Sequence, residues 1–197
     1  MRAEFLHRIA AHRAERLAAE PREILRDEVF RQGPQGEARF RTVRMKPGHV
    51  PYGRVYFCHH FTRDLVWRDE WRHHANGAVA VHRAIIVEPD PAKAAQLYAT
   101  MFGADAVHDM KGGKALVVGN SRFEIVTEKA LKDEFGRAVP DAEGRPAYMA
   151  GLTFRTTSLA KVSKVLAAGG IMGVTQHGNR IIVPASQAMN ATIEFIQ

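Results

Sequence analysis

Cysteine is nearly missing from this 197-residue sequence: Cys58 is the single thiol. No intramolecular disulfide can form, and no Cys-based zinc knuckle can be built. Long apolar runs are missing too. The stretch 80–87 is interrupted by His82 and Arg83 and falls far short of the ~20 residues that a membrane-spanning helix requires. The opening MRAEFLHRIAAHRAERLAAE has neither an unbroken apolar segment nor a small-residue cleavage site, which excludes a secretion signal and makes the cytoplasm the expected compartment. Runs of one charge are equally scarce. Lys and Arg number 28 against 21 Asp and Glu, a formal charge of +7, but the arginines of residues 1–76 alternate with acids. Without a block of five or six basic residues the pattern speaks against nucleic acid as a partner. It suits attraction of acidic small molecules toward a cleft.

What is present is the composition of a folded globule, with 46% hydrophobic and 25% charged residues, enough to bury a core. Residues 3–19 place Phe5, Leu6, Ile9, Ala10 and Leu17 near helical spacing, the pattern of an amphipathic helix. Two strand-like runs follow, 37–45 and 53–61, joined at Lys46-Pro47-Gly48 as a hairpin. The segment 62–77 carries Trp67 and Trp71 among charges and ends in Asn76-Gly77. It reads as an irregular connector whose two tryptophans, four residues apart, pack against the sheet. A domain boundary is expected there, dividing 1–76 from 77–197.

Beyond Gly77 the sequence organises into a repeat. A strand over 79–87 precedes Asp90 as N-cap, Pro91 at the first helical position and Gly103 as the stop. Strands over 104–109, 114–118 and 122–127 complete a β-α-β-β-β unit. After a short helix at 128–135 the order recurs: strand 148–156, helix 158–168, then strands 171–176, 180–183 and 191–196. Pro91 to Leu159 spans 68 residues and Glu124 to Glu194 spans 70, so the units 79–127 and 148–197 repeat with a period near 68.

Two such units in tandem, the first opening with VHRAIIVEPDPAKAAQLYATMFG, resemble the vicinal oxygen chelate superfamily, the glyoxalase, extradiol dioxygenase and bleomycin-resistance group. RVYFCHHFTRDLVW followed by HANGA is similar to its glyoxalase-like branch, best over residues 53–103. The fold this implies is α+β, with paired βαβββ modules forming a cup-shaped mixed sheet and a partial module ahead of it. Relatives of that branch carry a fuller module before the position of residue 1. The strand edges left open by a partial one would be covered by helix 3–19 or by a second copy, so a homodimer is expected.

The resemblance also implies a metal centre built from the first and last strand of each unit. His82, Glu124 and Glu194 fall on three ligand positions, whereas the fourth falls on Gly151, which has no donor. Imidazole and carboxylate ligands suit Fe, Mn, Ni or Zn, and such an ion would polarise vicinal oxygens for lyase or isomerase chemistry, less readily dioxygenation. Glu124 and Glu194 would then serve the reaction as well as the metal.

Alternation places Thr153 and Arg155 on the strand face of Gly151, candidates for holding a substrate acid, with His60 a further candidate reaching in. The competing reading is a metal-free protein of the bleomycin-resistance type that sequesters a small molecule, Gly151 making room for it. Glu124 and Glu194 sit mid-strand, and if the sheet is covered they require a partner. Cys58 reads as a structural thiol, and neither the His59-His60 nor the His73-His74 pair has zinc-ligand geometry.

Overall fold

The hairpin expected between residues 37 and 61 forms. Gly36–Arg44 (β2) and Tyr56–His60 (β3) pair antiparallel, with Val43 opposite Phe57 and Phe40 opposite His60. The structure, a computed structural model, describes residues 25–33, 36–45 and 48–197, so the helix expected over 3–19 lies outside the described residues. A strand with no alternating pattern in its sequence precedes the hairpin. Leu25–Gly33 (β1) pairs antiparallel with β2 along its whole length, giving a three-stranded sheet of order β1-β2-β3. Its sequence, LRDEVFRQG, holds too many charges to show the period of two on which a strand reading depends.

The connector contains two single turns of 3-10 helix, Arg63–Leu65 and Asp69–Trp71. Because each stops after three residues, Trp67 and Trp71 share no helical face. They are 54% and 60% exposed instead of packed on the sheet. Their rings lie under the guanidinium groups of Arg63 and Arg68, at 5.3 and 5.1 Å.

The second sheet begins with Ala78–Val87 (β4), followed by helix Pro91–Phe102 (α1) and strands Val107–Met110 (β5), Gly113–Val118 (β6) and Ser121–Val126 (β7). Helix Glu128–Phe135 (α2) leads to Tyr148–Thr156 (β8), helix Leu159–Ala168 (α3) and strands Thr175–His177 (β9), Arg180–Val183 (β10) and Thr192–Ile196 (β11). The eight strands are ordered β5-β6-β7-β4-β8-β11-β10-β9. β4 pairs parallel with β7 and β8 parallel with β11, while the central β4 and β8 run antiparallel. This is the α+β, paired-module mixed sheet that the repeat predicts.

Local signals set the helix ends. Asp90 accepts a hydrogen bond from the Lys93 amide at 3.0 Å, with Pro91 behind it, and Ser158 accepts one from the Lys161 amide at 3.3 Å. Two strands begin later than their apolar residues suggest. A 3-10 turn, Ala104–Ala106, precedes β5, and Gly173, at a φ of +69°, breaks the extended chain ahead of β9.

Three layers bury the sheet. On the outer face Ala95, Tyr98 and Met101 of α1 meet Leu116 and Ile125, and Leu159 and Val162 of α3 meet Ile181, Val183 and Phe195. Val43 and Phe57 of the small sheet join the same cluster, Phe57 tilted against Phe102 at 5.9 Å between ring centres. On the inner face Leu131 and Phe135 of α2 pack on Ile85, Val126, Tyr148 and Ile182. The hollow of the paired modules is therefore partly filled by the chain itself.

Candidate functional site

Alternation turns Ile125 of β7 toward α1 and Phe195 of β11 toward α3, which sends their neighbours Glu124 and Glu194 to the inner face. Both carboxylates are deeply buried, at 3% and 4% exposure, where an unpaired charge would be prohibitive. The partner is Arg83. Its Nη1 donates to Glu124 Oε2 at 3.1 Å, its Nη2 to Glu194 Oε2 at 2.7 Å and to Glu134 Oε1 of α2 at 2.9 Å, and its Nε to the Thr153 hydroxyl at 3.0 Å. Thr153 in turn donates to Glu194 at 2.5 Å. One planar fork reaches four acceptors, a task to which lysine's single ammonium is not suited.

Two more arginines close the network. Arg122 pairs with Glu124 from the same strand face, and Arg180 Nε lies 2.7 Å from Glu194 Oε1. Phe135 packs against both cations, with the Arg83 and Arg180 guanidinium carbons 5.5 and 5.3 Å from its ring centre. Burial works against the charge on Arg83. The hydrogen bond to Glu134 and the attraction of Glu124, Glu134 and Glu194 more than offset it, holding the group well above its ordinary range.

Why Arg83 and not its neighbour faces inward follows from the register. Val81 lies opposite Phe154 and Arg83 opposite Thr153, so His82 is an extra residue on β4, as in a bulge. Its Nδ1 sits 3.3 Å from Nη2 of Arg155 in an exposed contact, away from the two glutamates. Strand pairing also fixes which positions of the two units correspond. Arg83 pairs with Arg122 and Gly151 with Thr192, each two residues short of the inward glutamate. Arg83 and Gly151 are thus equivalent positions.

Of the residues singled out from sequence, Glu124, Glu194 and Thr153 converge. His82 and Arg155 meet each other in an exposed contact. His60 stays in the small sheet, edge-on to Phe40 at 4.8 Å between ring centres and 6.2 Å from Trp67. Gly151 does not open space for a ligand: a Cβ there would stand 2.5 Å from the Thr192 carbonyl oxygen, so the residue is required by the close approach of β11. Arg83, Arg180 and Glu134 carry no motif and escape sequence reasoning. The one signal toward them was that two mid-strand glutamates needed a partner if the sheet was covered.

The donor set does not fit a divalent ion. A guanidinium fills the space between Glu124 and Glu194, and His82 is turned elsewhere. Among the described residues no group of three His, Cys, Asp or Glu could hold a metal ion.

Beside this network a cleft of about 790 Å³ opens between the C-terminal end of α2 with its following turn and strands β9 and β10. Phe135 and Ile182 line its apolar part, and Arg137, Thr175, His177 and Arg180 its polar part. No helix of the described residues is long and apolar enough to cross a membrane.

Neither a family model nor a curated protein sequence matches the chain. Among solved structures it is similar to a hypothetical protein from Staphylococcus aureus, with a TM-score of 0.54 at 8% identity over 94% of this chain. This chain spans 60% of that protein's length. It is also similar to methylmalonyl-CoA epimerase from Mycobacterium tuberculosis, with a TM-score of 0.42 at 13% identity, covering 62% of this chain and 94% of that one. The former likeness, at that identity, is one of fold.

Proposed function

We propose that this protein is a metal-independent small-molecule-binding protein built on paired βαβββ modules, not a metal-dependent lyase or isomerase. The observation that carries the reading is the Arg83 guanidinium bonded at once to Glu124, Thr153, Glu134 and Glu194. A permanent internal cation supplies the charge that a divalent ion would otherwise bring to two buried carboxylates. No coordination position stays open to a substrate. The 790 Å³ cleft alongside is in the range of small-molecule sites.

The test is elemental analysis of tag-free protein purified without chelators, for wild type and His82→Ala together. The expected result is a small fraction of one metal ion per chain in both. Near-stoichiometric metal in wild type that disappears in His82→Ala would instead restore a metalloenzyme with His82, Glu124 and Glu194 as ligands.

A further inference from the structure

We infer that the cleft between α2 and β9–β10 binds a small organic acid, its carboxylate or phosphate group held by Arg137 and His177 and its flat apolar body resting on Phe135 and Ile182. The inference rests on the metal-free reading and names the ligand class for it.

The charges that face the cleft decide the sign of the ligand. Its two acids are already engaged: Asp133 with Lys129 at 2.7 Å and Glu134 with Arg83 at 2.9 Å. Further in, Glu124 is paired with Arg83 and Arg122, and Glu194 with Arg83 and Arg180. These four carboxylates are thus matched by four cations, Lys129, Arg83, Arg122 and Arg180. Arg137 is a fifth cation on the same wall, exposed and with no acid of the described residues against it. An electropositive excess at a concave, partly apolar surface concentrates anions there.

Hydrogen-bond supply points the same way. His177 and Thr175 stand on β9, the last strand of the sheet, with exposed side chains directed to the cleft and no protein partner among the described residues. Imidazole and hydroxyl donors beside a guanidinium form a set suited to the oxygens of an acid. Arg180 adds to it. Although its Nε lies near Glu194, neither Nε nor Nη2 has a well-aligned hydrogen bond, and such buried donors favour a nearby acceptor. Gly136, the residue that ends α2 at a φ of +56°, turns the chain sharply, and Arg137 follows it directly on the wall of the cleft.

The experiment is titration of the full chain, followed by amide chemical shifts and calorimetry, with benzoate, phenyl phosphate, benzamide and inorganic phosphate. Benzoate or phenyl phosphate should saturate and shift residues of α2, β9 and β10. Benzamide, of the same shape without the charge, should bind at least tenfold more weakly. Comparison of benzoate with phenyl phosphate assigns the acid as carboxylate or phosphate, and inorganic phosphate shows how much the apolar body adds. Arg137→Ala and His177→Ala, both at exposed positions, should each weaken the acid tenfold or more while the unfolding midpoint stays unchanged. Equal binding of benzoate and benzamide, acid binding unchanged in Arg137→Ala, or no saturation by either acid up to about 10 mM would overturn the inference. Metal content measured on the same sample reports separately on the metal-free reading, so the two failures are distinguishable.

Discussion

The two units of the large sheet share strand order and helix placement yet are finished differently. In the first, α1 shares its core both with its own sheet and with Val43 and Phe57 of the small sheet. In the second, α3 buries only Leu159 and Val162, against its own sheet. The inner positions differ more sharply: β4 presents Arg83 where β8 presents Gly151. One strand projects the longest cation available into the hollow and the other projects nothing. The difference teaches that a duplicated scaffold can place its bridging cation on one half, with Glu194 of the second unit held by Arg83 of the first as well as by its own Arg180.

Breaking that asymmetry at its origin should cost the most. Arg83→Ala leaves Glu124 and Glu194 buried beside an incomplete set of cations, and the expected loss is about 4 kcal/mol of stability, a drop in melting midpoint of roughly 10 °C for a chain of this size. Arg83→Lys should recover only part of it, since one ammonium cannot serve four acceptors in a plane. Scanning calorimetry of the three proteins checks the order.

Phe57→Ala would make the first unit resemble the second by uncovering α1. A loss of about 3 kcal/mol is expected. Hydrogen exchange should quicken in α1 and β2–β3 while α3 keeps its protection.

Gly151→Ala would narrow the difference from the other side. Its methyl group, 2.5 Å from the Thr192 carbonyl, forces β8 and β11 apart at a cost of roughly 2 kcal/mol, visible as a lower urea midpoint.

The smallest effect concerns Glu88, which follows β4 and is buried at 9% exposure. Burial first, then the charge of Asp90, raises its carboxyl above the usual range. A carboxyl raised on folding contributes stability that is complete below its unfolded value and is lost as pH rises through the folded one. Glu88→Gln should therefore gain roughly 0.5 kcal/mol at neutral pH and nothing near about pH 4, as read from melting midpoints across pH.

Elements whose ends carry capping residues were legible in the sequence. Asp90-Pro91 with Gly103 announced α1 because capping is a local interaction, and α3 was legible as the recurrence of the same order in the second unit. The inward glutamates were legible through period-two alternation and the 70-residue interval. Arg83 was not, because alternation assumes an unbroken ladder and the extra residue at His82 depends on what lies across the sheet. β1 escaped for a related reason: charges in LRDEVFRQG hide a strand whose pairing with β2 is non-local. The packing of α2 into the hollow also followed from no motif, although Leu131 and Phe135 lie four residues apart on its buried side.

The extra residue in β4 also works as a selector of chemistry. With the additional position at 82, a guanidinium enters the hollow and the imidazole meets Arg155 instead. Shifting it one place along the chain, without changing the amino-acid content, would exchange them and offer two carboxylates and an imidazole to a common point. A scaffold of this kind can therefore pass between salt-bridged core and candidate coordination sphere through a displacement of backbone phase, a route open to a designer who moves a bulge instead of replacing a side chain.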